Sequence, residues 1–306
     1  MKEAIIKLSS LGDIIHSLVV LPLLNKKIDF IVDSSFKEIL DYHPLINNIT
    51  DISLRKAKKQ KTLFIQEYKK LKNLQYDKVY DLQGLLKSAI IGKLITKNLI
   101  GYHNPREKIA SLFYNKKILS KKHYAIERYL ELFNMENEEF LKNHPKLLFY
   151  KDKEFSCLSK NKKNIIFIIG ATWKCKKYPK EKWLQLSNEL KENIIIPYYT
   201  EEEKKDAFFI AKSKYVTPIK VNLNDLKALI SKSDLLIGND TGPSFIAWAN
   251  NVNNIILYGC TYNNKIIENK FSKSIEIQKG LIDKRLLQEI NKIRISEVLN
   301  LIEKDC

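Results

Sequence analysis

Four short segments of this 306-residue chain concentrate the side chains able to do chemistry. The first, Ser9-Ser10-Leu11-Gly12-Asp13-Ile14-Ile15-His16, follows the apolar run Ala4-Ile5-Ile6. A strand that ends in small residues and reopens as a helix turns backbone N–H groups and polar side chains toward the crevice where α/β proteins take their ligands. A carboxylate there, Asp13, can collect a proton from an attacking hydroxyl, work worth about 10²–10⁴ in rate. Taken alone it reads more readily as an N-terminal carboxylate complementing the helix dipole. His16, one turn on, either faces the same crevice or packs.

The second segment, Gly170-Ala171-Thr172-Trp173-Lys174-Cys175-Lys176-Lys177-Tyr178-Pro179, follows the apolar run Ile165–Ile169. Its lysines offer point charge and Thr172 a hydroxyl donor to a phosphate-bearing ligand, unless the loop is simply a solvated basic one. In the third, Gly238-Asn239-Asp240-Thr241-Gly242-Pro243-Ser244, the glycines permit close backbone approach. The amides of Thr241, Gly242 and Ser244 suit a pyrophosphate at a helix N-terminus, although Asp240-Thr241 can also be only a cap. The fourth, Tyr198-Tyr199-Thr200-Glu201-Glu202-Glu203, carries a capping box at Thr200 and Glu203, and an acidic residue after a strand can hold ribose hydroxyls.

The elements that must position these segments form a strand-then-helix alternation that runs twice, which implies parallel sheet and an α/β fold. In the first half Ala4–Ile6, Asp29–Val32 and Lys78–Asp81 read as strands, with a helix from about Ile14 to Leu24. In the second half the strands are Ile165–Ile169, Asn193–Ile196, Asp234–Ile237 and Asn254–Tyr258. The charged stretch from Lys151 to Lys163 separates the halves as a linker. The length fits two cores of roughly 150 residues each. We expect doubly wound, Rossmann-like domains over residues 1–155 and 164–285, facing across a cleft, and a helical tail over 286–306 free to return to the first domain.

Lys and Arg number 53 against 35 Asp and Glu, a formal net charge of +18. Such a surface favours anionic partners, but no helix-turn-helix, zinc-finger or RNA-binding signature accompanies it. A polyanionic substrate or an acidic membrane surface is expected in place of nucleic acid. No run approaches the roughly 20 apolar residues of a membrane span and no secretory signal is evident, so a cytoplasmic protein is expected. Cys157, Cys175, Cys260 and Cys306 lack metal-ligand spacing and read as reduced thiols.

Five motifs in register carry a family resemblance across essentially the whole chain. They are S-S-x-G-D-x-x-H-S-L from Ser9, Asp81-Leu82-Gln83-Gly84-Leu85-Leu86-Lys87-Ser88-Ala89, Thr172 to Pro179, Asn239-Asp240-Thr241-Gly242, and Tyr258-Gly259. Together they resemble the lipopolysaccharide heptosyltransferases of glycosyltransferase family 9. Ala110-Ser111-Leu112-Phe113-Tyr114-Asn115 and Tyr124-Ala125-Ile126-Glu127-Arg128 bring the chain nearest to the subgroup that adds the first heptose.

The resemblance implies a GT-B fold and inverting transfer of L-glycero-D-manno-heptose from ADP-heptose to the first Kdo (3-deoxy-D-manno-octulosonic acid) of Kdo-lipid A, with no divalent metal. In keeping with this, no D-x-D pair occurs in the chain. Asp13 matches the family's general base. Lys176 and Thr172 match donor-phosphate ligands, Asp240, Thr241 and Gly242 the donor-binding D-T-G, and Glu201 the ribose glutamate, with Glu202 one step away.

On the acceptor side stand Ser10, Gly12, Lys87, Arg128 and the basic run Arg55-Lys56-Ala57-Lys58-Lys59-Gln60-Lys61. A monomer in peripheral, electrostatic contact with the anionic inner leaflet is expected. The chain departs from the family pattern at Ala171, Cys175, Tyr178 and Phe245, the last replacing a usual histidine; Lys174 and Lys177 are alternative phosphate ligands. Two other readings stay open. One is a transferase adding the second heptose or another nucleotide-activated sugar, the other a non-catalytic basic nucleotide- or nucleic-acid-binding protein.

Overall fold

In the computed structural model, which describes residues 1–53, 61–277 and 289–305, the short apolar runs become parallel strands buried on both faces. Helices cover each side of such a sheet, which is why its strands read as unbroken hydrophobic stretches. The first sheet comprises β1 (Glu3–Ile6), β2 (Ile28–Asp33), β3 (Ile46–Ile52), β4 (Lys78–Asp81), β5 (Leu99–Tyr102) and β6 (Lys116–Ile118), in the order β3-β2-β1-β4-β5-β6. The second comprises β7 (Asn164–Ile168), β8 (Asn193–Tyr198), β9 (Val216–Lys220), β10 (Leu235–Asn239), β11 (Asn254–Tyr258) and β12 (Ser272–Glu276), in the order β12-β11-β10-β7-β8-β9.

Counted from its own first strand, each sheet has the doubly wound order of a dinucleotide-binding unit. The strand order reverses between β1 and β4 in one and between β7 and β10 in the other, and ligands of such sheets bind beyond the strand C-termini at that switch point. The Asp13 segment follows β1, and the Lys176 and Asp240 segments follow β7 and β10.

By their internal contacts the residues form two units, Met1–Phe149 with Lys265–Ile267, and Tyr150–Asn264 with Glu268–Cys306. Ala4, Ile6, Ile31, Val79, Ala89 and Leu99 belong to the core of the first. In the second, Trp183 packs between Phe167 and Tyr178, with ring centroids at 4.7 and 5.3 Å. Ile290, Ile293 and Val298 are fully buried in this second core, with Ile295, Leu299 and Ile302 against it. The tail, allowed by sequence to return to the first half, is therefore part of the second: its helix Ile295–Asp305 lays an apolar stripe at helical spacing on that core.

Two other local expectations are corrected. The first helix spans Leu11–Ser17, starting ahead of Ile14, and gives way to a 3-10 segment Leu18–Leu23 containing Pro22, which has no N–H to continue an α-helix. A disulfide joins Cys175 to Cys260, with the Cα atoms 5.6 Å apart, where reduced thiols were expected; Cys157 keeps its thiol. Among the described residues no helix is long and apolar enough to cross a membrane.

Candidate active site

The exits of β1 and β4 are tied together in the first unit. Gln83 Oε1 accepts the N–H groups of Leu8 and Ser9, both at 3.0 Å, which fixes the turn leading to Asp13. Gln83 is held in turn by Asp81, a buried carboxylate that accepts from the amides of Gln83 (2.9 Å) and Gly84 (3.1 Å) and the hydroxyls of Ser88 and Tyr114 (2.8 Å each). Burial pushes the Asp81 pKa up against these hydrogen bonds. Gly84 has φ +65°, and a Cβ there would stand 3.3 Å from Arg106 N, so the turn suits glycine on both counts.

Asp13 sits in the first turn of the helix Leu11–Ser17. Its Oδ2 accepts from the Ser10 N–H at 3.3 Å and the Ser10 hydroxyl at 3.1 Å, while Oδ1 lies 3.7 Å from Lys265 Nζ. Lys7, the residue after β1, donates from Nζ to the Leu82 carbonyl at 3.0 Å and stands 5.1 Å from the centre of the Tyr129 ring. The Arg128 guanidinium lies over Tyr102 at 5.3 Å. These groups and Arg106 line a pocket of about 130 Å³, in which Asp13 is the one carboxylate among the described lining residues, beside four cations.

That charge pattern sets the protonation states. Burial favours a neutral Asp13, but Lys7 and then Lys265 outweigh it, helped by the Ser10 amide, and hold its carboxyl well below the usual range. Burial also lowers Lys7 to about 8, with Asp13 and Asp81 opposing the fall. His16 is buried and pushed down to about 3, Asp13 opposing, so it is neutral near pH 7. Asp13 is then an ionised proton acceptor at neutral pH, set among cations that would draw an anionic ligand.

The second unit gathers its candidates at β7 and β10. The Lys176 ammonium forms an ion pair with Asp240 Oδ2, which also accepts from the Thr261 hydroxyl at 2.8 Å. Asn239 links the two strand ends, accepting from Tyr178 N at 3.1 Å and donating to the Ile169 carbonyl at 2.8 Å. The 3-10 turn Lys174–Lys176 carries Cys175, whose disulfide ties it to the loop after β11. Gly238 and Gly259 permit this crowding: a Cβ would meet Ser244 Oγ and the Cys175 carbonyl at 2.3 and 2.4 Å.

Of the sequence-derived candidates, Ser10, Gly12 and Asp13 lie together on the first loop and helix, and Arg128 lines the same pocket. Lys87 is exposed on the helix Leu86–Ile95 and is not among the pocket's lining residues. Arg55 and Lys58 fall outside the described residues. Thr172 is exposed beside the Lys176–Asp240 pair's loop, and Thr241 and Gly242 open the 3-10 turn Gly242–Ser244. The expected capping box forms, with Glu203 N donating to Thr200 Oγ1 at 3.2 Å; Glu201 extends into solvent and Glu202 pairs with Lys177 at 2.7 Å.

Sequence reasoning missed Lys7, Arg106 and Lys265. Lys7 leaves a signal, since a lysine ending an apolar run in front of a catalytic-looking loop must place its charge somewhere special. Arg106 and Lys265 leave none, because chain distance hides their approach to the pocket that holds Asp13.

The family model of glycosyltransferase family 9 (heptosyltransferase) matches residues 65–278. Lipopolysaccharide heptosyltransferase 1 of Campylobacter coli is 33% identical, over 99% of this chain and 98% of that protein. E. coli heptosyltransferase WaaC with ADP shares the fold, with a TM-score of 0.83 at 24% identity and 100% of both chains covered. WaaC with ADP-2-deoxy-2-fluoro heptose gives a TM-score of 0.81 at the same identity and coverage.

Proposed function

Since the chain belongs to glycosyltransferase family 9, the GT-B heptosyltransferases of lipopolysaccharide biosynthesis, we propose that it moves L-glycero-D-manno-heptose from ADP-heptose to the first Kdo of Kdo-lipid A. The transfer inverts the anomeric centre and uses no divalent metal. The observation that carries this reading is the Asp13 carboxylate, 3.7 Å from Lys265 Nζ, in a cation-lined pocket at the switch point of the first sheet.

In the proposed step the Asp13 carboxylate takes the proton of the acceptor hydroxyl as that oxygen bonds to the anomeric carbon. The bond from that carbon to the β-phosphate oxygen breaks, and its electron pair leaves with ADP. Lys176, oriented by Asp240, and the amides of Thr241 and Gly242 receive the developing phosphate charge, with Thr172 as a further donor. Glu201 meets the ribose. A fixed ammonium and backbone dipoles stabilise a leaving diphosphate without needing to reorganise.

The net charge of +18 supports peripheral contact with an anionic membrane leaflet, where the lipid acceptor resides. The test is an ADP-release assay in chelator with panels of sugar nucleotides and acceptors, with the product's anomeric configuration read by NMR. Selective use of ADP-β-heptose and Kdo-lipid A to give an α-linkage is expected. Loss of turnover in chelator, retention of configuration, or preference for another sugar nucleotide overturns the corresponding part.

A further inference from the structure

The two oxygens of Asp13 are not equivalent. Oδ2 takes both Ser10 donors and holds the side chain in place, whereas Oδ1 is the oxygen turned to Lys265, at 3.7 Å. That distance is well beyond the roughly 2.7–2.9 Å of a close charge-assisted hydrogen bond. The Oδ1 atom that a substrate hydroxyl would have to reach is therefore loosely held on the Lys265 side, while Lys7 acts on the carboxylate from the wall.

Lys265 is built to change partner. Its carbonyl accepts the Ile126 N–H at 3.2 Å, and the next residue, Ile266, is buried, so its backbone is fixed against the helix Ala125–Leu132 that carries Arg128. Its side chain is 40% exposed and carries three donors on a long stem. Lys7 is committed to the Leu82 carbonyl deep in the wall, and the Arg128 guanidinium rests on Tyr102. With four cations against one carboxylate, the pocket has positive charge left for a second anion.

We propose that Lys265 is a specificity-determining residue that holds the carboxylate of a sugar-acid acceptor: its ammonium leaves Asp13 Oδ1 for the incoming carboxylate, and the exchange opens Oδ1 to the attacking hydroxyl. This rests on Asp13 acting as the base in the proposed transfer. The acceptor's own charge thus selects the acceptor and uncovers the base, and a neutral sugar of the same shape leaves Lys265 on Asp13.

A residue-by-charge cycle tests this. The wild type, Lys265→Met and Lys265→Arg, each checked for folding by circular dichroism and thermal melting, are assayed on Kdo-lipid A, on its Kdo methyl ester, and on the free acid with the lipid phosphates removed. Esterification is expected to lower wild-type kcat/KM by about 10- to 100-fold, the range of a charge-assisted hydrogen bond. In Lys265→Met the acid and ester should react alike, while Lys265→Arg restores the preference and phosphate removal leaves it unchanged. An equal esterification penalty in the wild type and Lys265→Met, or a Lys265 effect that follows the phosphates, overturns the proposal. If the wild type turns over no acceptor, or Asp13→Asn is fully active, the underlying transfer reading fails and this one with it.

Discussion

The Lys176 ammonium is seated on the Asp240 carboxylate, joining the loop after β7 to the loop after β10 where the strand order of the second sheet reverses. Each residue therefore governs what the other presents to a ligand. In the proposed transfer Lys176→Ala leaves Asp240 without its counter-ion beside the donor phosphates, with only the Thr261 hydroxyl on it among the described contacts, so ADP affinity should fall by about 10- to 100-fold. The Lys176→Ala/Asp240→Asn double variant should recover part of that loss. Calorimetric titration of ADP into the variants checks this, and strictly additive effects would separate the two residues.

Lys7 places a titration inside the working range. Its pKa is lowered to about 8 by burial, so it is charged below that pH and neutral above it. Asp13 stays ionised throughout, which makes loss of the Lys7 charge the event that weakens the pocket for an anionic acceptor. We expect kcat/KM to decline above about pH 8, and the decline to be absent from a slower Lys7→Met enzyme. A profile of the same shape in both proteins would assign the limb to another group.

The disulfide predicts a redox-dependent stability. Cys175 and Cys260 are 85 residues apart, and closing a loop of that length restricts the unfolded chain by about 4–5 kcal/mol in chain entropy. Cys260→Ser should lower the urea midpoint of the second unit, and reductant should lower the wild type to match. Identical midpoints with and without reductant would contradict a structural role for this bond.

How much of this was legible depended on where the chain keeps its information. Asp13, Lys176 and Asp240 could be found because each follows an apolar run at the C-terminal end of a central strand, and the topology places those ends at the switch points. The edge strands β3, β6, β9 and β12 lack such runs, because an edge tolerates polar side chains and even Pro218 in β9.

The D-L-Q-G motif was visible as a family mark, but its physical purpose was not. Only in the fold does Asp81 hold Gln83, and Gln83 the amides ahead of Asp13. Lys265 reaches Asp13, and Cys260 reaches Cys175, through the path of the chain, which local patterning does not encode. The tail gave its helix through spacing yet not its docking face, since an apolar stripe fits any complementary core.

Whether Asp13 is the base of a heptosyl transfer is decided by a single assay. Purified protein is incubated in chelator with ADP-heptose and Kdo-lipid A, and the lipid is weighed by mass spectrometry beside an Asp13→Asn sample that binds ADP normally. A gain of one heptose in the wild type and a rate lower by about 10²-fold or more in the variant are expected. An unmodified lipid with folded wild-type protein, or equal gains in both, would contradict that role.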